Sequence, residues 1–165
     1  MPETYDRIIA TTLGSAQTDV TLSSIPATYT DLVLIINAGS SAGADANFRL
    51  NGDSGSNYSR TLMTGNGSTA NSSRTANAVV GRLNANAYPN GGAGDTTIIG
   101  QFMNYSNTTT NKTVISRANN AGLGTDLVVN LWRNTSAINS ILILSTSAAT
   151  FVAGSTFTLY GIKAA

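Results

Sequence analysis

Short runs of β-branched and aliphatic residues, each cut off by a turn rich in glycine or asparagine, recur along the whole sequence. The punctuation includes Asn51-Gly52-Asp53, Gly65-Asn66-Gly67, Pro89-Asn90-Gly91-Gly92 and Gly122-Leu123-Gly124. Asn-Gly readily takes the positive φ values that tight hairpin turns demand. No long window repeats apolar residues at i, i+3, i+4 and i+7, and helix-favouring Glu and Lys are scarce. The runs predict strands at Tyr5–Thr12, Asp19–Leu22, Asp31–Asn37, Ala46–Leu50, Tyr58–Met63 and Ala76–Leu83. Further strands are predicted at Thr96–Met103, Lys112–Ala118, Leu127–Arg133, Ile138–Ser145 and Thr156–Lys163. Asp31–Asn37 is almost continuously apolar, the pattern of a strand covered on both faces. About ten short strands spaced in this way predict an all-β fold. The expected architecture is one antiparallel, jelly-roll-like β-sandwich domain over residues 1–165.

A chain of 165 residues buries about 70% of its unfolded surface and needs no covalent staple. It has no cysteine and no histidine, which removes disulfides, thiolate chemistry, the commonest general base and the commonest zinc ligand. Charged residues make up 10% of the chain, against about 25% in an average soluble domain. Glu3, Lys112 and Lys163 are the only residues of their two types, so Arg and Asp carry almost all the charge. Lys and Glu are depleted at the centres of protein interfaces and Arg is enriched there, so the composition reads as a subunit of an assembly. The net charge of +1 offers no nucleic-acid footprint. The polar start, Met-Pro-Glu-Thr-Tyr-Asp-Arg, lacks the pattern of a signal peptide, so synthesis in a cytoplasm is expected. No apolar run reaches the ~18 residues that cross a bilayer, and no membrane partner is expected.

Catalytic signatures are not found: no Gly-x-Ser-x-Gly elbow, no phosphate-cradling Gly-Lys-[Ser/Thr], no dinucleotide fingerprint. The acids other than Glu3 are Asp6, Asp19, Asp31, Asp45, Asp53, Asp95 and Asp126. Most stand beside turns or strand starts, where Asp bonds local backbone, and nothing predicts that two of them meet. The expectation is a protein without enzymatic activity and without a cofactor. The loop Asn51–Asn57 is rich in oxygen donors but lacks the order of an EF-hand, so no metal site is assigned. Candidate contact residues come from two places. If Leu127, Val129 and Leu131 form the core face of their strand, period two puts Trp132 on the other face as an exposed anchor. Tyr88 and Pro89 stand in the irregular stretch Asn84–Asp95, a length of loop that often carries function. For Trp132 and Tyr88 contact between subunits ranks first, core packing second and ligand binding third.

Three stretches carry a likeness to known proteins. The first is Tyr5-Asp6-Arg7-Ile8-Ile9-Ala10-Thr11 together with Val20–Leu32. The second is Phe48-Arg49-Leu50-Asn51-Gly52-Asp53-Ser54-Gly55-Ser56-Asn57-Tyr58-Ser59, and the third is Gly154–Lys163 near the end of the chain. These stretches resemble a family of small virion proteins of tailed bacteriophages, notably phages of aquatic bacteria and cyanobacteria. The resemblance implies a structural protein of the virion surface and carries over no catalytic residue. It leads to the expectation of a capsid-decorating (cement) subunit that binds the major capsid protein and stabilises the outer shell. By analogy with other decoration proteins and fibre knobs, a homotrimer is expected. Arg49, Arg60, Arg74, Arg82, Arg117 and Arg133 are the residues able to form bidentate pairs with shell carboxylates. The alternative is a tail-fibre receptor-binding knob that grips a host surface glycan through Trp132, Tyr88 and the Asn84–Asp95 loop.

Overall fold

A computed structural model describes residues 4–86, 89–146 and 148–163. Among them the chain forms twelve β-strands and no helix. These are β1 (Tyr5–Thr12), β2 (Asp19–Leu22), β3 (Asp31–Ala38), β4 (Ala46–Leu50), β5 (Tyr58–Gly65) and β6 (Ala70–Ala78). They continue as β7 (Gly81–Arg82), β8 (Thr96–Met103), β9 (Lys112–Asn120), β10 (Gly124–Trp132), β11 (Ile141–Ser145) and β12 (Thr156–Ile162). An eight-stranded sheet runs β1-β12-β3-β8-β9-β10-β5-β6, and a four-stranded sheet runs β2-β11-β4-β7. Every strand pair is antiparallel. The expected all-β sandwich is present, with sheets of unequal size.

From β1 to β5 the chain alternates between the two sheets. The turn after β4 shows how. Asn51 and Gly52 both have positive φ, 52° and 71°, and the Asp53 N–H donates to the Leu50 carbonyl at 2.9 Å. That is the mirror-image turn an Asn-Gly pair favours. Its flanking strands do not pair with each other, because the turn sends the chain from the small sheet to the large one. The Asn51 side chain fixes the exit direction by donating to the Ala137 carbonyl at 2.8 Å and accepting from the Asn139 N–H at 2.9 Å.

The core lies between the sheets. Leu32, Leu34 and Ile36 of β3, Ile98 and Phe102 of β8, and Phe157 and Leu159 of β12 point inward from the large sheet. Val20, Leu22, Phe48, Leu50, Ile141 and Ile143 meet them from the small one. Phe48 bridges the layers, edge-on to Phe102 at 5.8 Å and to Tyr58 at 6.1 Å. The second apolar face of β3, with Val33 and Ile35, is not covered by another sheet of this chain. It belongs to the outer face of the large sheet, flanked by Tyr160 on β12 and by Gln101 and Ile99 on β8.

Candidate functional site

Two regions bear on function: the inner surface of β10 with the segment that follows β7, and the outer face of the large sheet. On β10 the buried residues are Asp126, Val128, Asn130 and Trp132, while Leu127, Val129 and Leu131 are 44%, 42% and 37% exposed. The strand therefore sits the opposite way round from the sequence expectation. Trp132, 1% exposed, is a core residue and not a surface anchor. Its ring stacks on Tyr58 at 6.4 Å, and its indole N–H donates to the Asp53 carboxylate at 2.6 Å.

Buried polar residues are explained by what lies above them. The small sheet is too narrow to cover the large one, and the segment Gly81–Asn86 closes the remainder with backbone groups that need partners. Asn130 supplies them in the manner of a neighbouring strand. Its Oδ1 accepts from the Arg82 N–H at 2.9 Å and its Nδ2 donates to the Arg82 carbonyl at 2.8 Å. Ser116 donates to the Leu83 carbonyl at 2.8 Å. Asp126 accepts from the Ala85 and Asn86 N–H groups at 2.6 and 3.1 Å. The Asn84–Asp95 loop is thereby tied down at its start. Further on, the buried Pro89 accepts from the Ala44 N–H, and the Gly91 N–H donates to Ser40. Gly39 permits this approach, since a Cβ there would overlap the Gly91 and Gly92 carbonyls. Pro89 is thus a packing residue. Tyr88 lies outside the described residues.

The oxygen-rich loop at 51–57 is organised around Asp53. Its carboxylate accepts from the Gly55 N–H at 2.8 Å and from the Asn57 amide as well as from Trp132. Burial opposes the charge, but these donors and the nearby Arg49 outweigh it and hold the carboxyl below its usual range. The Asp53 carboxylate and Asn51 Oδ1, two of the side-chain acceptors of this loop, are taken by the chain's own donors. No cluster of three potential metal-ligating acids occurs among the described residues.

The arginines divide by role. Arg82 pairs with Asp45, and Arg60 donates to the Val80 carbonyl at 3.3 Å. Arg133 bonds the Ser59 hydroxyl, the Ser56 carbonyl and the Asn77 side chain at 2.5, 2.6 and 3.0 Å. Arg49 reaches the Val79 carbonyl at 3.4 Å. Four of the six expected contact arginines therefore brace the fold. Arg74 on β6 and Arg117 on β9 are exposed and make no ion pair among the described residues.

These two mark a surface the sequence did not single out. Strand register aligns side chains across the outer face of the large sheet in rows. One row runs Tyr160, Val33, Gln101, Ile115, Val129, Thr61 and Arg74. The next runs Thr158, Ile35, Ile99, Arg117, Leu127, Met63 and Ser72. Met63 is 59% exposed and Met103, at the far end of β8, is 42% exposed. A groove of about 610 Å³ lies at the β9-β10-β5-β6 end of the sheet, lined by Met63, Ala70, Ser72, Arg117, Leu127 and Asp126. No carboxylate stands in either row.

Comparison with known proteins finds no matching family model, no matching curated protein and no matching solved structure.

Proposed function

We propose that this protein is a structural subunit of a tailed-phage virion, a capsid-decorating protein that assembles as a homotrimer and binds the outer shell. The observation that carries the reading is the broad outer face of the large sheet, apolar with two unpaired arginines, whose chemistry suits protein contact. Low overall charge and the resemblance of three stretches to small virion proteins support the same conclusion. The polar side chains of the interior, Asp53, Asp126 and Asn130, hold loops and strands in place. A subunit of this kind stabilises a shell by linkage: binding only the mature lattice favours that lattice by mass action, and several contacts per oligomer act with avidity. Of the two aromatic residues that the receptor-binding alternative relied on, Trp132 is buried and Tyr88 lies outside the described residues.

The reading is tested on gradient-purified particles. Peptides of this chain should be recovered in a fixed ratio to the major capsid protein, and gold-labelled antibody should decorate the head exterior. Recovery only in the soluble fraction would contradict the reading, and label confined to the tail tip would replace it with the fibre alternative.

A further inference from the structure

We propose that the outer face of the eight-stranded sheet is the surface through which copies of this chain associate. The proposal rests on the assembly part of the reading above and names the contact that part leaves open.

Size is the first argument. The face from β12 to β6 spans seven strands. With a strand spacing of about 4.8 Å and about seven residues per strand at about 3.3 Å, it covers roughly 700 Å². A stable interface of standard size buries about 800 Å² per partner. The apolar centre, Ile35, Ile99, Ile115, Leu127, Val129 and Met63, is a part of that footprint, with Thr158, Gln101, Thr61 and Ser72 around it.

Composition is the second. Centres of interfaces gain Met and Arg and lose Lys, Glu and Asp. This face holds Met63, Met103, Arg74 and Arg117, with no Lys or Glu in its aligned rows and one acid, Asp31, at its end beside Ile162.

Self-complementarity is the third and selects the occupant. A copy meeting a copy must supply both halves of every contact. The face carries guanidinium donors in Arg74 and Arg117, neutral acceptors in Gln101, Thr61 and Thr113, and an apolar centre of Ile99, Ile115, Leu127 and Val129. A copy of the face brings both signs, Arg7, Arg74 and Arg117 with Asp31, whereas a uniformly acidic or basic partner would meet like charge somewhere on it.

The experiment measures the mass of the full-length purified protein by light scattering at micromolar concentration. Three single variants, Met63→Glu, Val129→Glu and Thr21→Glu, are measured beside it. Thr21 is exposed on β2 in the other sheet. The expected result is an oligomer for the unaltered chain and for T21E. M63E and V129E should run as monomers with unchanged far-ultraviolet circular dichroism, their association weakened at least tenfold. Met63 and Met103 should also resist peroxide oxidation in the oligomer and lose that protection on dilution. A monomeric unaltered chain would overturn the proposal, as would an oligomer that persists in folded M63E and V129E or dissociates in T21E. None of these results depends on where the protein sits in a particle. A monomeric unaltered chain would also overturn the homotrimer of the reading above but not its place on the virion. An oligomer that persists in the folded variants would overturn this contact alone, and absence from particles leaves this contact standing.

Discussion

Asp53 shows how one side chain can organise a loop. It receives an indole N–H, a backbone N–H and a side-chain amide, and bonds to a charged acceptor are each worth about 1.5–3 kcal/mol. The carboxylate is part-exposed and water takes over much of this bonding, so Asp53→Ala should lower the unfolding free energy at pH 7 by about 2 kcal/mol in urea melts followed by tryptophan fluorescence. The acid side follows from linkage. A carboxyl held below its model value of 3.8 stabilises the fold above that pH, and the contribution is lost as pH falls through the lowered value. The gap between the unaltered chain and Asp53→Ala should accordingly narrow below pH 3.8. A gap that stays constant into strong acid would contradict the bonding described. Tyr58 behaves in the opposite sense. Burial raises its hydroxyl from 10.0 to about 12, so its contribution is intact below 10.0 and lost as pH rises toward the folded value. Tyr58→Phe should flatten the alkaline fall in stability across that interval, as followed by thermal melts. These roles were hidden in the sequence. Asp53 reads as a turn residue, and nothing local announces the indole that approaches it from β10.

At the scale of elements, the sequence revealed strands where burial alternates and missed them where it does not. Asp19–Leu22 and Ala46–Leu50 match their expected bounds because one face is apolar and the other polar, and Thr96–Met103 matches because it is a run of strand-favouring residues between turns. β6, with the sequence ANSSRTANA, is largely exposed on both faces and has no alternation to detect. The strand expected at Ala76–Leu83 divides instead between the end of β6 and the short β7. β10 was found, but its orientation was inverted. Leu127, Val129 and Leu131 look like a core face beside Asp126 and Asn130, yet the polar pair is inside because a backbone segment above it needs bonds. That segment gives the prediction at this scale. Asp126→Ala should release the start of the Asn84–Asp95 loop, speeding hydrogen exchange at the Ala85 and Asn86 amides by at least about tenfold. Asp126→Asn, which keeps one acceptor, should have a smaller effect. Unchanged exchange in Asp126→Ala would show that the loop is held by other contacts.

For the molecule as a whole, the two sheets have different exteriors. The small sheet presents Asp19, Thr21, Asn47 and Arg49 on the strands that flank β11, whose Leu142 and Leu144 lie half-buried between these polar side chains. The large sheet presents aliphatic and methionine side chains at its centre. If that face is covered by another copy, folding and association are coupled, and the thermal midpoint should rise with protein concentration. Calorimetry over a hundredfold dilution series should show the rise, and a midpoint independent of concentration would contradict it. The sandwich class was legible in the sequence because it depends on strand period and turn chemistry. The contact face was not, because two apolar faces on one strand look alike until the register of its neighbours is known.

The inward orientation of β10 underlies both the buried polar scaffold and the exposed apolar face, and the chain carries a single tryptophan to report it. The direct measurement is emission and acrylamide quenching of Trp132 in the folded protein, repeated in the Val129→Glu variant. Blue-shifted emission and strong protection from quencher in both are expected, because the indole lies between the sheets whatever the state of association. Red-shifted emission and free quenching in either folded protein would contradict the orientation and the contact face that depends on it.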